Sequence, residues 1–183
     1  AGIVGLGGAA FPSHIKLNPE NQIKTLIINA KESDPNIACD YRLMVEKPRE
    51  IILGVQVMKK ILNPERIIFA TRTKEGETPE LESLLAEYQI EISRMRPCYS
   101  IGSEQLLIKE ILNQEVPEGK FPTDLGIVVH NVATAYAIWD AVWNGHPLIS
   151  RGITFYSKET EGKNFWIRMG TPINHILKYL GLN

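Results

Sequence analysis

Short apolar segments rich in β-branched residues recur along the chain, and longer segments with a helical pattern separate them. Runs of about four to eight such residues, bounded by polar or turn-forming residues, are typical of strands buried in a parallel sheet. We therefore predict four strands, at residues 25–29, 66–70, 90–95 and 126–129.

The segments between these strands show the spacing of amphipathic helices. After Pro48, the apolar residues Ile51, Val55, Met58 and Leu62 follow at intervals of three or four and form one stripe. Further helices are predicted around residues 41–45, over 79–88, after a cap at 103, and from a cap at 131 to residue 144. Alternating strands and helices predict an α/β fold, a layered αβα domain with a mainly parallel sheet.

The pattern changes after Pro147. Residues 149–157 and 165–168 have the character of strands, and residues 172–180 that of a short helix. We therefore expect two units: an α/β domain over residues 1–147, and the beginning of a small β-rich module over 148–183, truncated at the end of the chain.

Composition narrows the function classes. The 183 residues are 44% hydrophobic, and 20 Lys+Arg against 21 Asp+Glu give a net charge of −1, which argues against a nucleic-acid-binding protein. No apolar run reaches the roughly 18 residues of a membrane span. Cys39 and Cys98 are far apart, so this segment alone offers no cysteine-type zinc or iron–sulfur site, and its four scattered histidines predict no metal site.

The stretch AGIVGLGGAAFPSHIK opens the chain and places four glycines in its first eight residues. Glycine lets backbone amides approach an anion closely. Gly5, Gly7 and Ala10 fit a dinucleotide-binding fingerprint, but that motif needs a preceding strand and an unbroken helix, and Pro12 and Pro19 interrupt the segment that follows. A flexible terminus and a glycine loop of another nucleotide-binding fold both remain open.

Three polar motifs follow predicted strands, at residues 29–34, 99–104 and 130–134. Each has an ordinary explanation as a helix cap or a solvated helix start. Because the carboxyl ends of parallel strands meet at one edge of a sheet, the three motifs together predict a ligand site there. Lys16 adds a cation near the glycine loop.

The motifs GIVGLGGAAFPSHIK, INAKESDP, YSIGSEQLL and HNVATAYAI occur in this order along the chain. Together they resemble the flavin-binding domain shared by the flavoprotein subunit of respiratory complex I and by the C subunit of the Rnf (Rsx) electron-transport complex. The resemblance to the Rnf protein extends along almost the whole chain, and the tail NFWIRMGTPINHILKYLG is similar to the opening of the β-grasp-like SLBB module that follows the flavin domain in this family.

The resemblance implies a non-covalently bound FMN that accepts hydride from NADH or returns it to NAD+, with no catalytic side chain of the protein itself. Phe11, Asp34 and Glu104 would contact the nicotinamide nucleotide. The residues implied to bind FMN are Gly5, Gly7, Gly8, Lys16, Asn29, Glu32, Ser33, Tyr99, Gly102, Asn131 and Thr134.

The resemblance also implies a biological setting. It is that of a peripheral subunit on the cytoplasmic side of a bacterial inner membrane, in an ion-translocating complex with other subunits and a ferredoxin-like donor or acceptor. Clusters of the 4Fe-4S type would lie outside this segment. Lys31, Ser33 and Ser103 depart from the family pattern, and so does the pair Ser100-Ile101. These departures leave open a degenerate flavin domain that acts as a scaffold without cofactor. A related soluble flavoprotein such as a cobalamin reductase, which shares the order of flavin domain and SLBB module, is a further alternative.

Overall fold

A computed structural model describes residues 1–32, 34–72, 78–95 and 103–182 of the chain. Its main sheet has four strands in the order β3-β2-β1-β4, and every neighbouring pair is parallel. The strands are β1 (Thr25–Asn29), β2 (Arg66–Arg72), β3 (Glu91–Met95) and β4 (Ile127–Asn131). The predicted parallel α/β sheet is confirmed.

The described helices follow the predicted ones closely. They are α1 (Ser13–Lys16), α2 (Cys39–Glu46), α3 (Pro48–Leu62), α4 (Pro79–Glu87), α5 (Glu104–Leu112), α6 (Val132–Trp143) and α7 (Ile173–Leu180). Pro48 occupies the first turn of α3, where its missing N–H costs no hydrogen bond, and Asn63 ends that helix in a left-handed conformation. The single turn α1 is not predicted by the sequence pattern, because it is too short for a helical period.

Helices cover both faces of the sheet. Along β1, Leu26 and Ile28 face a core that contains residues of α3, α4 and α6, whereas Ile27 faces a second core with Leu107 and Ile108 of α5. This alternation is the period of two along a strand, and it confirms the three-layer αβα arrangement.

Helices α3 and α6 approach closely at Gly54. A Cβ atom built on Gly54 would lie 1.9 Å from the carbonyl oxygen of Ala135, a distance that no real contact allows. Because glycine has no side chain, it allows α6 to lie this close to α3. The N-terminal end of α6 carries Asn131 and Thr134.

A second, two-stranded sheet follows the α/β unit. Strands β5 (Ser150–Ser157) and β6 (Thr160–Arg168) form an antiparallel hairpin, and α7 follows it. β6 begins at Thr160, earlier than the predicted residue 165. The prediction missed this start because the first residues of the strand are polar and mostly exposed and so lack an apolar pattern. The hydroxyl of Thr154 accepts a hydrogen bond from the amide of Ala38 at 2.9 Å, so the hairpin contacts the first unit. The boundary at residue 147 and the SLBB-like character of the hairpin stay predictions.

Within the described ranges, no helix combines the length and the apolar character that a membrane crossing requires.

Candidate functional site

The glycine stretch forms a closed loop rather than a frayed terminus. The amide of Gly5 donates to the carbonyl of Phe11 at 2.8 Å, and Val4 pairs with Pro12 in an isolated β-bridge. Only the single turn α1 follows, so this part of the described chain lacks the strand and long helix that the dinucleotide fingerprint needs. The choice left open by the sequence is settled in favour of an ordered glycine loop.

Both polar backbone groups of Leu6 are bound by side chains from distant elements. Its amide donates to the Thr134 hydroxyl at 3.0 Å, and its carbonyl accepts from Nη2 of Arg151 at 3.0 Å. Thr134 is fully buried under the loop, so in this structure it anchors the loop from α6. The centre of the glycine loop is thereby fixed between α6 and β5.

Asn131 joins the loop to the end of β4. Its side-chain oxygen accepts from the amide of Ala133 at 2.9 Å, which confirms the predicted cap of α6, and its Nδ2 donates to Asp40 at 2.6 Å. A Cβ atom on Gly7 would lie 3.2 Å from the Cβ of Asn131. The loop packs this tightly against the strand end because Gly7 has no side chain.

Two adjacent clefts open at this edge of the sheet, and both are lined by Gly7, Asn29 and Asn131. The first, about 210 Å³, is called the acidic cleft here; its other walls include Gly8, Lys31, Glu32, Asp34, Asp40 and Arg151. The second, about 250 Å³, is called the lysine cleft; its other walls include Gly5, Phe11, Lys16, Ser103, Glu104 and His130. The shared residues make the two clefts neighbouring parts of one site.

The acidic cleft contains a cluster of protonatable groups. The ligand atoms of Glu32, Cys39 and Asp40 lie within 4.8 Å of one another, and Glu32 accepts from the amide of Asp40 at 2.8 Å. Burial raises the pKa of Glu32 to about 7. Burial, followed by the two neighbouring carboxyl groups, raises the pKa of the Cys39 thiol to about 11. The spacing is one that a metal ion can use, which the sequence did not predict, although a thiol must lose its proton before it can bind a metal.

Several opposing effects act on the pKa of Asp40 in the acidic cleft. Burial raises the pKa of its carboxyl group, whereas the hydrogen bond from Asn131 and the positive charge of Arg151 lower it. Desolvation is the largest of these effects, so the cluster favours bound protons over free negative charge.

The lysine cleft contains one ion pair and one buried histidine. Lys16 lies 3.0 Å from the carboxylate of Glu104, the first residue of α5, where a negative charge is favoured by the helix dipole. Nε2 of His130 is buried and has no hydrogen-bond partner among the described residues. Burial, and then the charge of Lys16, lowers the pKa of His130 to about 3, so its ring is neutral at neutral pH.

Most of the predicted site residues meet at these clefts. Gly5, Gly7, Gly8, Phe11, Lys16, Asn29, Glu32, Asp34, Glu104 and Asn131 line one cleft or both. Thr134 lies behind the loop, and Ser33, Tyr99 and Gly102 fall outside the described residues. The predicted cap residue Ser103 does precede α5, but its side chain makes no capping bond among the described residues.

Sequence reasoning assigned no ligand-binding role to His130, although the polar motif at residues 130–134 begins with it, and it missed Asp40 and Arg151. β4 extends through His130 to Asn131, past its predicted end, so His130 is a buried strand residue rather than part of the loop. Asp40 belongs to the first turn of α2, which begins before the predicted helix. Arg151 lies beyond the predicted domain boundary. The position of His130 directly after the apolar run of β4 is the one local signal that indicated any of them.

Residues 1–140 match the family described as the Nuo51 FMN-binding domain. The chain is 39% identical over 185 residues to the C subunit of the "Ion-translocating oxidoreductase complex" of Pasteurella multocida, covering 97% of this chain and 22% of that protein. It is 36% identical over 185 residues to the C subunit of the "Proton-translocating ferredoxin:NAD(+) oxidoreductase complex" of Clostridium ljungdahlii, covering 99% and 40%. The chain thus spans between about a fifth and two fifths of the length of these relatives.

Solved structures share the fold. A chain of an NAD+-reducing [NiFe]-hydrogenase in the H2-reduced state superposes with a TM-score of 0.77 at 23% identity, covering 96% of this chain and 36% of that one. The air-oxidized state gives the same TM-score at 20% identity. At such identities the likeness supports the α/β architecture alone.

Proposed function

Since this chain belongs to the Nuo51 FMN-binding domain family, we propose that its two clefts together bind FMN. We propose further that the chain is the flavin-binding part of the C subunit of an ion-translocating electron-transfer complex, as its relatives are named. The observation that carries the proposal is the glycine loop, which is anchored through both polar groups of Leu6 and whose amides at Gly7 and Gly8 have no partner among the described residues.

The described residues fit a flat, phosphate-bearing ligand. Gly7 and Gly8 line the acidic cleft, where their amides can donate to a ligand. A Cβ atom on Gly8 would meet only open space, so the backbone itself is accessible to a ligand. Lys16 and Arg151 supply positive charge for a phosphate, and Nε2 of His130, which lacks a partner among the described residues, can pair with a polar ligand atom.

Asn29 and Asn131 place amide groups at the ends of neighbouring strands, and Glu32 places a carboxyl group in the loop after β1, so these residues are suited to hold the flavin. Gly5, Gly7, Gly8 and Lys16 complete the proposed flavin contacts among the described residues. When bound, FMN would supply the exchange between two-electron and one-electron transfer. The protein's part is to bind the ring, orient it and exclude water from it.

Phe11 is the best described candidate for nucleotide binding. Phe11 is 45% exposed at the wall of the lysine cleft, so its aromatic side chain is accessible to a ligand there. An aromatic face at this position suits stacking on a nicotinamide nucleotide, with Glu104 and Asp34 available for hydroxyl groups. The name of the Clostridium ljungdahlii relative, which includes ferredoxin and NAD(+), supports this assignment.

The wider setting is part of the same proposal. The chain would pass electrons between NADH or NAD+ and iron–sulfur carriers, with any 4Fe-4S clusters and the ferredoxin-like partner outside this segment. It would do so as a peripheral subunit on the cytoplasmic side of the bacterial inner membrane, bound to other subunits of the complex.

A second candidate is a flavin-free scaffold. Lys31, a departure from the family pattern, is only 4% exposed and lines the acidic cleft, so its side chain takes up room beside Asn29 and Glu32. A bound flavin must share the acidic cleft with this side chain. The two functions therefore predict opposite results in a flavin titration.

The test is a titration of the purified protein with FMN, followed by flavin fluorescence and visible absorbance. We expect a Kd in the micromolar range, on the order of −8 kcal/mol. Gly7→Val should weaken binding at least about tenfold, because its larger side chain collides with Asn131 and occupies both clefts. Gly162→Ala is the control, since a Cβ there has only ordinary contacts and Gly162 lies outside both clefts.

Failure of the unaltered protein to bind FMN at about millimolar concentration would overturn the flavin proposal and favour the scaffold. Equal affinities of the parent and Gly7→Val would show that the flavin binds somewhere other than the two clefts.

A further inference from the structure

The hairpin of the second unit holds the glycine loop directly. Arg151, near the start of β5, donates from Nη2 to the carbonyl oxygen of Leu6 at 3.0 Å. The bond joins residues that are 145 positions apart and crosses the boundary predicted at residue 147. A charged donor makes it stronger than a bond between neutral groups.

This bond fixes the direction of a proposed ligand-binding amide. The carbonyl of Leu6 and the N–H of Gly7 belong to one peptide unit, which is planar and trans, so the two groups point in opposite directions. Holding the carbonyl toward Arg151 therefore holds the Gly7 amide away from it. The amide of Leu6 is separately bound by Thr134, so neither of the two peptide units at Leu6 can rotate freely.

The charge of Arg151 also acts on Asp40 in the same cleft. Its guanidinium group lies close enough to Asp40 to lower the pKa of that carboxyl group, and Asp40 accepts from Nδ2 of Asn131 at 2.6 Å. The hairpin, α2 and the cap of α6 are thus connected through side chains that all line the acidic cleft.

We propose that Arg151 is a positioning residue through which the β5–β6 hairpin sets the glycine loop for flavin binding. The inference rests on the proposed FMN site and extends it beyond the α/β unit. Flavin affinity then depends on the β5–β6 hairpin, because Arg151 of this hairpin anchors the glycine loop.

The experiment compares Arg151→Met with Arg168→Met, which removes the same charge from an exposed position on the neighbouring strand β6. We expect Arg151→Met to weaken FMN binding about tenfold, a loss typical of one charge-assisted hydrogen bond, and Arg168→Met to stay within about twofold of the parent. Arg151→Lys keeps a charged donor and should restore part of the affinity.

A second measurement does not depend on flavin. In the flavin-free protein, the amide NMR signals of Gly7 and Gly8 should shift or broaden in Arg151→Met and stay unchanged in Arg168→Met. If the parent binds no FMN, the proposed function fails, whereas these signals still decide whether Arg151 orders the loop. Should Arg151→Met not fold, Arg151→Gln replaces it with the same expectation. Parent-like glycine signals in Arg151→Met would overturn the inference, because any loss of affinity would then come from the missing charge and not from the loop.

Discussion

Replacing Gly54 by alanine should destabilise the protein, although alanine is the better helix former. On an exposed helix surface this change stabilises by about 1 kcal/mol. Here the new Cβ would lie 1.9 Å from the carbonyl oxygen of Ala135, and 2.7 Å from the carbonyl carbon. Both atoms are backbone, so no side-chain rotation relieves the overlap.

The cost follows from the movement that the overlap demands. A tolerable contact needs the backbones of α3 and α6 to separate by about 1 Å, and close-packed interiors resist such shifts. Overpacking of this kind typically costs about 1–3 kcal/mol and more where backbone must move, so it outweighs the gain in helix propensity. We expect a net loss of about 2 kcal/mol or more in the free energy of unfolding.

The assay is equilibrium unfolding in urea, with Gly162→Ala as the control. The nearest atoms to a Cβ on Gly162 are 3.6–3.7 Å away, so the control should stay within about 0.5 kcal/mol of the parent. Because α6 carries Thr134, a shift of this helix should also loosen the anchor of Leu6 and weaken FMN binding. A variant as stable as the parent or more stable would refute the reasoning from helix contact.

Three further changes test the site. Thr134→Val should lower the free energy of unfolding by about 1–3 kcal/mol, because the buried amide of Leu6 loses its acceptor; an unchanged urea midpoint would contradict this. Asn131→Asp keeps the cap of α6 but places a second carboxyl group beside Asp40. Thermal stability should therefore fall more steeply than in the parent as the pH rises from about 5 to 8. Equal slopes of stability against pH in the two proteins would contradict this prediction. The pKa of Glu32 is raised from 4.5 to about 7, so the folded state keeps a proton that the unfolded chain releases, and stability falls as the pH rises through this window. In Glu32→Gln, the decrease in the free energy of unfolding over this pH range should be smaller by about 1 kcal/mol, a value that allows for the partial exposure of Glu32. A pH profile identical to that of the parent would show that Glu32 does not cause the decrease.

The sheet and its helices could be predicted because their signals are local. Each of β1, β2 and β4 has a continuous apolar run, since both faces of a parallel sheet are covered. The cap at Asn131 and the proline at the start of α3 are equally local, because capping joins residues two or three positions apart. These features also placed the polar strand ends at one edge, and that edge is where the clefts lie.

The anchors of the glycine loop could not be predicted in this way. Leu6 is bound by Thr134 and Arg151, which lie 128 and 145 positions away, and such bonds leave no periodic pattern in the sequence. Asp40 is another example, because its importance comes from Asn131 on a different element. The start of β6 was missed for the opposite reason: its first residues are exposed, so hydrophobic contrast is absent.

Some polar groups of the glycine loop are hydrogen-bonded within the protein, and others have no partner among the described residues. Both polar groups of Leu6 are bonded, and Gly7 packs against Asn131. In contrast, the amides of Gly7 and Gly8 and Nε2 of His130 have no partner among the described residues. A loop that is already ordered loses little conformational entropy when a ligand fills the remaining hydrogen bonds. Flavin affinity should therefore depend on the anchors as much as on the groups that touch the ligand, which is why a residue of the hairpin belongs to the site.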